Sequence, residues 1–432
     1  MGFEPILTRN LGNPEALTVT GYRATGGYEA LAKGLEMEPD EVIEEVKKSG
    51  LRGRGGAGFP AGVKWSFIPK QIERPKYLVC NADESEPGTF KDRVLMESDP
   101  HQLIEGCALC CYAVGANTCY IYIRGEYARQ AEILESAIGE AYEAGILGES
   151  VLGSGFKLDM WVHRGAGAYI CGEETGMLES LEGRRGEPRI KPPFPALVGV
   201  FGSPTVINNV ETLCNVPHIV ARGSEWFSSI GTDERNTGPK LYCISGHVER
   251  PGVYEYPIGA TLDELLESAR GMYQDRELKA FQPGGASAPI LPADKRQVPM
   301  DFEHLAAAGS MLGSAGIIVM DETTCLVRAT LRLAKFFNHE SCGQCTPCRE
   351  GTNWSEMVLR RIEQGRGGSG DPDLLLRMTT NMTGTTLCPL ADAAVGPLRS
   401  LVESFRAEVE QHIDEGACPL PAPRYFQEAE TG

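Results

Sequence analysis

Residues Ser49 to Trp65 read SGLRGRGGAGFPAGVKW, and Gly or Ala fills five of the six positions from Gly53 to Gly58. So little side chain lets peptide N–H groups approach a ligand closely, and Gly can adopt the positive φ that makes successive N–H groups converge on an anion. Arg52, Arg54 and Lys64 flank this glycine loop and would neutralise the charge of the ligand. The stretch therefore predicts a backbone cradle for phosphate groups. A flexible surface loop is the alternative, because Gly-rich runs are often linkers.

Gly53, Gly55 and Gly58 also match the dinucleotide fingerprint G-x-G-x-x-G, which requires a strand before it and a helix that opens inside it. The preceding residues, Pro39 to Lys48, have apolar residues on one face, acids in the first turn and lysines in the last. This pattern, followed by a glycine, predicts a helix instead of a strand. Pro60 falls where the helix of the fingerprint should be running. We therefore expect an anion-binding loop outside the ordinary Rossmann arrangement.

Composition limits the class of protein. The 432 residues suggest two to four domains, and the formal net charge of -18 argues against a nucleic-acid partner, because binding a polyanion requires cations on the protein. The first thirty residues mix acids with bases, so we expect no signal for secretion or import, and the 14 cysteines fit a reducing cytoplasm better than disulfides. The most apolar run, Cys107 to Ile123, is interrupted by Asn117 and Thr118, so we expect a soluble protein that reaches a membrane only through an assembly.

Strands and helices alternate from Tyr77 onward. The predicted elements are a strand at Tyr77–Cys80, a helix at His101–Gly115, a strand at Cys119–Arg124, a helix at Tyr127–Gly145 and a strand at Phe156–His163. Right-handed crossovers between such strands give a parallel sheet, and ligands bind beyond the carboxyl ends of its strands. The fold class is therefore multidomain α/β, with a Rossmann-like parallel sheet.

Polar segments that contain glycine follow each of these strands. They begin at Asn81, Arg124 and Arg164, and all three fall on one edge of the predicted sheet. Their convergence predicts a ligand site at this edge, with three unrelated solvated loops as the alternative. Phe194 lies in the proline-rich segment that follows and offers a stacking surface for a flat ring, although core packing is the ordinary role of a lone Phe.

The remaining chain divides into two parts. Residues 239–322 combine short strands, such as Lys240–Ser245 and the apolar run Leu312–Met320, with one helix at Leu262–Arg270. This mixture predicts a small α+β module of the β-grasp type, in which we see no chemistry. Residues 323–432 predict a four-helix bundle and a frayed tail from Ala417. The bundle helices are expected around Leu326–Phe337, Thr352–Glu363, Leu374–Met382 and Leu398–Ile413. The predicted domains are thus 1–70, a helical lead-in with the glycine loop; 71–238, the Rossmann-like domain; 239–322; and 323–432.

Cys342, Cys345 and Cys348 are spaced C-x2-C-x2-C, and Cys388 follows 40 residues later. Four thiolates in this arrangement can hold a [4Fe-4S] cluster. Zinc usually takes ligands from two separate C-x2-C pairs, so a shared Cys345 favours iron-sulfur and leaves zinc as the alternative. We expect the other ten cysteines to pack in the core and His339 to end a helix near the cluster.

A phosphate-binding site and an iron-sulfur cluster in one chain indicate an electron-transfer enzyme. A nicotinamide delivers two electrons as a hydride, whereas the cluster accepts one electron at a time. A third group must therefore divide the pair, and a flavin can do this.

The chain closely resembles one family from about Gly26 to Leu401, the NADH-binding F subunits of bacterial respiratory NADH:quinone oxidoreductase, complex I, which carry FMN and a [4Fe-4S] cluster. Six ordered motifs carry the resemblance: GLRGRGGAGFPAGVKW, NADESEPGTFKDR at 81–93, RGAGAYICGEET at 164–175, KPPFP, PTVINNVET and ESCGQCTPCREG. The resemblance implies NADH oxidation by hydride transfer to FMN, with single electrons relayed to the [4Fe-4S] cluster. It also implies an FMN beyond the carboxyl edge of the sheet, a β-grasp module and a helical bundle that carries the cluster.

The resemblance assigns residues by their matching positions. The phosphate loop for FMN and NADH comprises Gly53, Arg54, Gly55, Gly56, Ala57, Gly58 and Lys64. The flavin side comprises Asn81, Asp83, Glu84, Ser85, Tyr169, Gly172, Glu173, Glu174, Asn208, Asn209 and Thr212. The nicotinamide side comprises Phe59, Phe67, Glu86, Lys191 and Phe194, and the cluster ligands are Cys342, Cys345, Cys348 and Cys388. Among these residues, Glu84, Glu86 and Tyr169 are the candidate catalytic residues.

The resemblance also implies partners and a place in the cell. A thioredoxin-like [2Fe-2S] subunit and a large iron-sulfur subunit would lie beside this chain, in the cytoplasmic peripheral arm of a cell-membrane complex. Two alternatives stay open. One is the diaphorase subunit of an NAD-linked hydrogenase or formate dehydrogenase, which shares these motifs. The other is a non-catalytic docking protein stabilised by zinc.

Overall fold

The computed structural model describes residues 3–420, and it begins with four short helices. They are α1 (Val19–Ala24), α2 (Glu29–Glu36), α3 (Pro39–Lys48) and α4 (Ala61–Ser66). The predicted bounds of α3 are confirmed, because Pro39 takes the first helical position, Glu38 and Glu41 form a capping box, and Gly50 follows with φ +71. The predicted tail beyond residue 420 lies outside the described residues.

The glycine loop joins α3 to α4. From residue 3 onward no strand precedes the loop, as predicted, and Arg52 makes only an isolated bridge to Pro60. However, Pro60 does not exclude a helix here. It is the residue before α4, a position at which the missing N–H of proline costs nothing.

Four parallel strands form the first sheet, in the order β3-β2-β1-β4. Their bounds are β1 (Tyr77–Ala82), β2 (Thr118–Ile123), β3 (Asp159–Arg164) and β4 (Thr205–Asn209). The parallel sheet is confirmed, with two differences. The third strand begins at Asp159 and not at Phe156, which packs on Tyr112 instead. The fourth strand was not predicted, because it is short, ends in two asparagines and follows a run of prolines.

Six helices accompany this sheet. They are α5 (Asp92–Ser98), α6 (Pro100–Val114), α7 (Ala128–Glu143), α8 (Glu174–Leu181), α9 (Val210–Arg222) and α10 (Ser224–Ser228). Helix α6 is buried on nearly every side, because α1, α2 and α3 cover it opposite the sheet. Residues from Leu7 to Leu241 therefore share one hydrophobic core. In the described range 3–420, no helix has both the length and the apolar character needed to cross a membrane.

The next part is a second, mixed sheet of five strands in the order β10-β9-β11-β7-β8. After the small hairpin β5 (Gly231–Asp233) and β6 (Asn236–Thr237), its elements are β7 (Pro239–Gly246), β8 (Gly252–Pro257), α11 (Leu262–Ser268), β9 (Leu278–Gln282), β10 (Leu291–Pro292), α12 (Phe302–Ala307) and β11 (Gly316–Asp321). Central β11 runs parallel to β7 and antiparallel to β9.

Glu255 in β8 fastens the start of the described chain to this second sheet. Its carboxylate accepts the backbone N–H groups of Ile6, Leu7 and Thr8 at 2.8–2.9 Å, and the Thr8 hydroxyl at 2.7 Å. Three N–H donors on one carboxylate are a strong anchor. Residues 6–8 thus connect the second sheet to the core around the first sheet, in which Leu7 is buried.

Helices complete the described chain. They are α13 (Leu326–Glu340), α14 (Thr346–Glu363), α15 (Asp371–Met382), α16 (Leu390–Ser404) and α17 (Arg406–Glu415). The prediction of four bundle helices with a long last one is wrong for the described residues. The chain breaks at Phe405, where φ is -130, so that the last segment forms two helices. Helix α16 also starts eight residues earlier than predicted and contains Pro397 in its interior.

Candidate functional site

The carboxyl end of β1 carries a polar cluster. Asn81 donates from its side chain to the Gly172 carbonyl at 3.0 Å and accepts from the Asp83 backbone N–H at 3.1 Å. The Ser85 hydroxyl donates to the Asp83 carboxylate. Burial raises the pKa of Asp83 to about 7, against the effect of Ser85 and Arg124. The segments after β1 and β3 therefore meet at one edge of the sheet, as expected from the topology.

The Glu84 carboxylate is buried and held by other residues, and its role as a catalytic and flavin-side residue stays a prediction. Its carboxylate accepts the backbone N–H groups of Asp92 at 2.8 Å and Arg93 at 3.1 Å, and the Tyr127 hydroxyl at 3.0 Å. Burial raises its pKa to about 7, and nearby Asp92 adds to the rise. The side chain caps the start of α5, where N–H groups lack partners within the helix.

The glycine loop lies on the carboxyl end of β4. The Arg54 backbone N–H donates to the Thr212 hydroxyl at 2.8 Å. A Cβ on Gly55 would come within 2.8 Å of the Asn209 Cβ, so only glycine permits this close approach. Gly56 has φ +135, and a Cβ there would meet nothing within 4 Å. The loop is therefore packed on one side and open on the other, which is the geometry of a cradle.

The guanidinium groups of Arg52 and Arg54 are held by residues outside the loop, so their role in neutralising a ligand stays a prediction. Arg54 is 1% exposed, and its guanidinium donates to the Thr237 carbonyl. Arg52 pairs with Glu303 at 2.7 Å and lies over the Phe302 ring at 4.0 Å. Both guanidinium groups join the loop to the residues that follow α9.

Two lysines near the loop form ion pairs with two glutamates. Lys64 lies 3.4 Å from Glu174 and donates to the Ile207 carbonyl at 2.9 Å. Lys191 lies 2.7 Å from Glu174 and 2.9 Å from Glu173. Burial alone would raise the pKa of Glu174, yet the two lysines outweigh it and lower that pKa. Glu173 also caps α8, accepting the backbone N–H of Thr175 and of Gly176 at 2.8 Å.

Two more predicted residues anchor the loop's surroundings. Asn208 accepts from the buried Trp65 indole N–H at 2.8 Å. Asn209 donates to Asp92 at 2.7 Å and accepts from the Thr212 backbone N–H at 3.4 Å, at the start of α9. These contacts fix the end of β4 against α4 and α5.

The three aromatic side chains predicted for the nicotinamide side are exposed, and two of them lie in the loop segment, Phe59 before α4 and Phe67 directly after it. Phe59 is 46% exposed, Phe67 53% and Phe194 56%. The rings of Phe59 and Phe67 are 6.1 Å apart, centroid to centroid. Large apolar rings that remain in water beside a polar site indicate a surface for stacking a flat ligand.

Glu86 and Tyr169 connect the sheet edge to the rest of the chain. The Tyr169 hydroxyl donates to Glu86 at 2.7 Å, and Glu86 also accepts the backbone N–H and the hydroxyl of Ser287, each at 2.7 Å. Burial raises the pKa of Glu86, against these three hydrogen bonds. Ser287 belongs to the part for which no chemistry was predicted. Nothing in the sequence near Ser287 signals this role, since its partner lies 201 residues away.

The four predicted cluster cysteines line one small cavity, Cys348 being buried and the others half-buried. Leu387 donates its backbone N–H to the Cys345 sulfur at 3.4 Å, and the Ser341 hydroxyl lies 3.2 Å from the Cys348 sulfur. Thiolates accept such bonds around a cluster and are stabilised by them. His339 is 85% exposed on its side chain and stands at the end of α13, as predicted.

One short turn borders both regions. The 3-10 turn Tyr169–Gly172 bonds Asn81 through the Gly172 carbonyl and lines the cysteine cavity with Ile170. The Tyr169 backbone N–H also donates to Glu340 at 3.0 Å, two residues before the first cluster cysteine. The sheet edge and the cysteine cavity are thus separated by this one turn.

A network of buried charges behind the glycine loop was missed. Lys91 lies 2.7 Å from Asp92 and 2.9 Å from Glu211, and Lys240 lies 2.7 Å from Glu211, with no exposure of either lysine or of Glu211. Burial alone would raise the pKa of Glu211, but the lysines outweigh it and lower that pKa. The residues come from α5, α9 and β7, so no local pattern could reveal their contact.

The residues at the edge fit a flavin mononucleotide. The open backbone around Gly56 suits a phosphate, and the amides and carboxyl groups at Asn81, Asp83 and Glu173 suit hydroxyl groups. The four cysteines fit a [4Fe-4S] cluster by number and by ligand type. The other predicted core cysteines are buried, except Cys418, which is half-buried.

Comparison with known families and proteins identifies three matching regions. The Nuo51 FMN-binding domain family matches residues 46–218, the NADH-ubiquinone oxidoreductase-F iron-sulfur binding region matches 328–412, and the SLBB domain matches 241–291. The second NADH-quinone oxidoreductase F subunit of Rhizobium meliloti is 58% identical over 420 residues, which cover 97% of this chain and all of that protein. The NADH-quinone oxidoreductase F subunit of Mycobacterium tuberculosis is 51% identical over 423 residues, which cover 96% of this chain and 95% of that protein.

Solved structures give the same fold. The crystal structure of an NAD+-reducing [NiFe]-hydrogenase in the air-oxidised state matches with a TM-score of 0.82 and 36% identity, over 98% of this chain and 69% of that chain. The H2-reduced state matches with the same TM-score and 35% identity, over 100% of this chain and 70% of that chain.

Proposed function

The chain belongs to the family of NADH-quinone oxidoreductase F subunits, and from this premise we propose that it oxidises NADH with bound FMN and passes single electrons to a [4Fe-4S] cluster. It is an NADH dehydrogenase that works within complex I. The observation that carries the proposal is the turn Tyr169–Gly172, which touches both the flavin edge and the cysteine cavity. A path this short suits electron transfer between the two groups.

FMN supplies the ability to accept a hydride and release electrons one at a time, and the cluster accepts them singly. The residues of this chain bind and orient the ligands. The N–H groups of the glycine loop hold phosphate, while Lys64 and Lys191 neutralise it by turning from Glu174 toward the ligand. Phe59, Phe67 and Phe194 stack the nicotinamide dinucleotide.

Hydride transfer needs no general base, only reacting atoms held close together. We therefore assign Glu86 and Tyr169 as positioning residues. Their hydrogen bond fixes the carboxylate beside the site, and Ser287 holds its other oxygen. Carboxylates near a ribose 2′-hydroxyl disfavour the phosphorylated dinucleotide by repulsion, which supports NADH as the substrate.

The proposal includes the finer organisation of the chain and its assembly. We keep the four parts 1–70, 71–238, 239–322 and 323–432, with a β-grasp module third and a helical bundle last. As a member of complex I, the chain would contact a thioredoxin-like [2Fe-2S] subunit and a large iron-sulfur subunit. Its place would be the cytoplasmic peripheral arm of the membrane complex.

The diaphorase role of an NAD-linked hydrogenase is the second candidate, and the likeness to the NAD+-reducing hydrogenase favours it. The higher identity to the F subunits of NADH-quinone oxidoreductase, 58% against 36%, favours the complex I role. A zinc-stabilised docking protein has little support, because the iron-sulfur region of the oxidoreductase family matches the segment that holds the four cysteines.

The test is to purify the full chain with its cofactors and follow two signals separately. We expect flavin absorbance with NADH:ferricyanide activity, and a reduced [4Fe-4S] signal in electron paramagnetic resonance after NADH is added. Cys388→Ser should abolish the cluster signal and leave the ferricyanide activity, whereas Cys111→Ala, a change at a buried thiol of α6, should alter neither. Absence of flavin and of NADH oxidation in the unmodified protein would overturn the proposal.

A further inference from the structure

Four side chains of the metal-binding type meet at one end of the last helices. Cys325 precedes α13, Glu363 ends α14, His412 lies in the last turn of α17, and Cys418 follows α17. One ligand atom from each residue lies within 4.8 Å of the other three. Because Cys348 is fifteen residues before Glu363 on the same helix, at about 1.5 Å per residue the group lies roughly 22 Å from the cluster cavity.

The distances inside this group suit a small tetrahedral ion. The Cys325 sulfur lies 3.2 Å from His412 Nε2 and 3.7 Å from a Glu363 oxygen. His412 Nε2 lies 3.5 Å from that oxygen. Ligands at about 2.0–2.3 Å from a tetrahedral zinc ion stand roughly 3.3–3.8 Å from one another. The Cys325, Glu363 and His412 side chains are therefore already close to the spacing that zinc requires, and the Cys418 sulfur lies within 4.8 Å of their ligand atoms.

The surrounding hydrogen bonds orient the ligand atoms. His412 Nδ1 lies 2.7 Å from the Glu408 carbonyl, which can only accept, so Nδ1 carries a proton and Nε2 is the ring nitrogen that faces Cys325 and Glu363. The Arg328 backbone N–H donates to the Cys325 sulfur at 3.3 Å. The Arg328 guanidinium holds the second Glu363 oxygen at 2.7 Å. Each of these three ligands is thus fixed by a partner outside the group.

We propose that Cys325, Glu363, His412 and Cys418 bind one Zn²⁺ ion as a structural site. Two thiolates, one imidazole and one carboxylate are zinc ligands, and all four positions are filled by protein, as in structural sites. Binding releases the two thiol protons, and any proton on His412 Nε2. Two thiolates and a carboxylate balance the ion and the Arg328 guanidinium, so that the half-buried site is neutral overall.

The proposed ion would fasten the end of the described chain. It links the start of α13 and the end of α14 to α17 and to the segment that follows α17. This site differs from the zinc alternative at Cys342 to Cys388, and it does not depend on the proposed function. Its failure would leave NADH oxidation and the cluster untouched.

The test uses the full chain with its cofactors, purified without chelators, and measures zinc and iron per chain by elemental mass spectrometry. We expect about one zinc per chain, as for a structural site with four protein ligands. Cys418→Ser should lower zinc at least about fivefold and leave iron unchanged, whereas Cys418→His should retain zinc because imidazole also ligates it. Cys348→Ser should lower iron and leave zinc, and Cys111→Ala should alter neither.

X-ray absorption at the zinc edge of the unmodified protein provides a check that needs no variant. Two sulfur ligands near about 2.3 Å and two nitrogen or oxygen ligands near about 2.0 Å are expected. Three results would each overturn the proposal. They are an unmodified protein with no stoichiometric zinc, zinc that is lost with Cys348→Ser and kept in Cys418→Ser, and a disulfide between Cys325 and Cys418 found by mass spectrometry of the purified chain.

Discussion

Helix α9 and the carboxyl edge of the parallel sheet both contain paired charges, but water reaches only one of them. Glu211 of α9 and its partners Lys91 and Lys240 have no exposed side-chain area. At the sheet edge, the exposed fractions are 31% for the Lys64 side chain and 25% for that of Lys191. The same types of residue therefore occupy two very different environments within one molecule.

This difference in exposure distinguishes buried charges that stabilise the fold from half-exposed charges that we propose bind a ligand. A fully buried pair cannot exchange its partner for a ligand, and removing one member leaves the other unpaired in a medium of low polarity. A half-exposed lysine loses little when it turns from a carboxylate to a phosphate. Exposure, and not residue type, distinguishes the lysines that we propose bind a ligand from those that stabilise the fold.

The largest expected effect comes from Glu211→Gln, which would leave two buried lysines without their shared counter-charge. We expect the free energy of unfolding to fall by about 3–5 kcal/mol, measured by urea unfolding at constant FMN concentration. Glu149→Gln, which breaks an exposed pair with Lys157, is the control and should cost less than about 1 kcal/mol. Equal losses in the two variants would contradict the distinction between the regions.

The second expected effect is on the pH dependence of stability, to which His218 in α9 contributes. Burial lowers the pKa of His218 from 6.5 to about 3, while the imidazole lies 2.6 Å from the Gln102 side-chain oxygen. Because the unfolded chain then binds more protons below pH 6.5, His218 contributes stability that is present above pH 6.5 and is lost as the pH falls toward 3. At pH 5 the loss should be about 2 kcal/mol.

The measurement for His218 is urea unfolding at pH 7 and pH 5. His218→Gln should remove about 2 kcal/mol of the pH dependence, so the variant's curve is flatter than that of the unmodified protein. His304→Gln, a change at a half-exposed histidine beside Asp301, is the matched control. An unchanged slope in His218→Gln would show that this imidazole is charged in the folded chain.

The third effect belongs to the sheet edge. Lys191→Met should raise KM for NADH about tenfold, equivalent to about 1.4 kcal/mol of binding, with little change in kcat. The free energy of unfolding should change by less than about 0.5 kcal/mol, because the lysine is half-exposed. Lys70→Met removes an exposed lysine paired with Asp40 and should leave KM unchanged. If Lys191→Met lowered the free energy of unfolding as much as Glu211→Gln does, the distinction between buried and half-exposed charges would be contradicted.

The smallest effect is that of Phe67→Leu, which removes one exposed ring from the proposed stacking surface. A loss of about 0.5–1 kcal/mol should raise KM for NADH roughly two- to fivefold, measured with ferricyanide as acceptor. Trp354→Leu, at an exposed ring of α14, is the control and should leave KM as it is. Similar KM values in both variants would remove Phe67 from the stacking surface.

Local patterns predicted much of this molecule. The capping signals of α3 and the apolar runs of the first two strands lie within short segments and predicted these elements, whereas the third strand begins three residues later than its pattern indicates. The spacing of Cys342, Cys345 and Cys348 is also local, and it predicted an iron-sulfur cluster. That the polar segments after β1 and β3 meet at one edge followed from the handedness of the crossovers. What depends on distant residues could not be predicted in this way. The burial of Arg54 against residue 237, the capping by Glu84 and the contact of Ser287 with Glu86 are all made by folding and leave no local trace.

Glu255 sets the earliest time at which residues 6–8 can dock during synthesis of the chain. Residues 6–8 reach the ribosome exit well before this glutamate, because 247 to 249 positions separate the donors from their acceptor. At about 5–20 residues per second, the wait is roughly 12–50 s. During this time the three N–H groups lack the carboxylate that binds them in the folded chain, so residues 6–8 can dock only after β8 has been made. In a growing chain, residues 6–8 are thus made long before they can reach their final place.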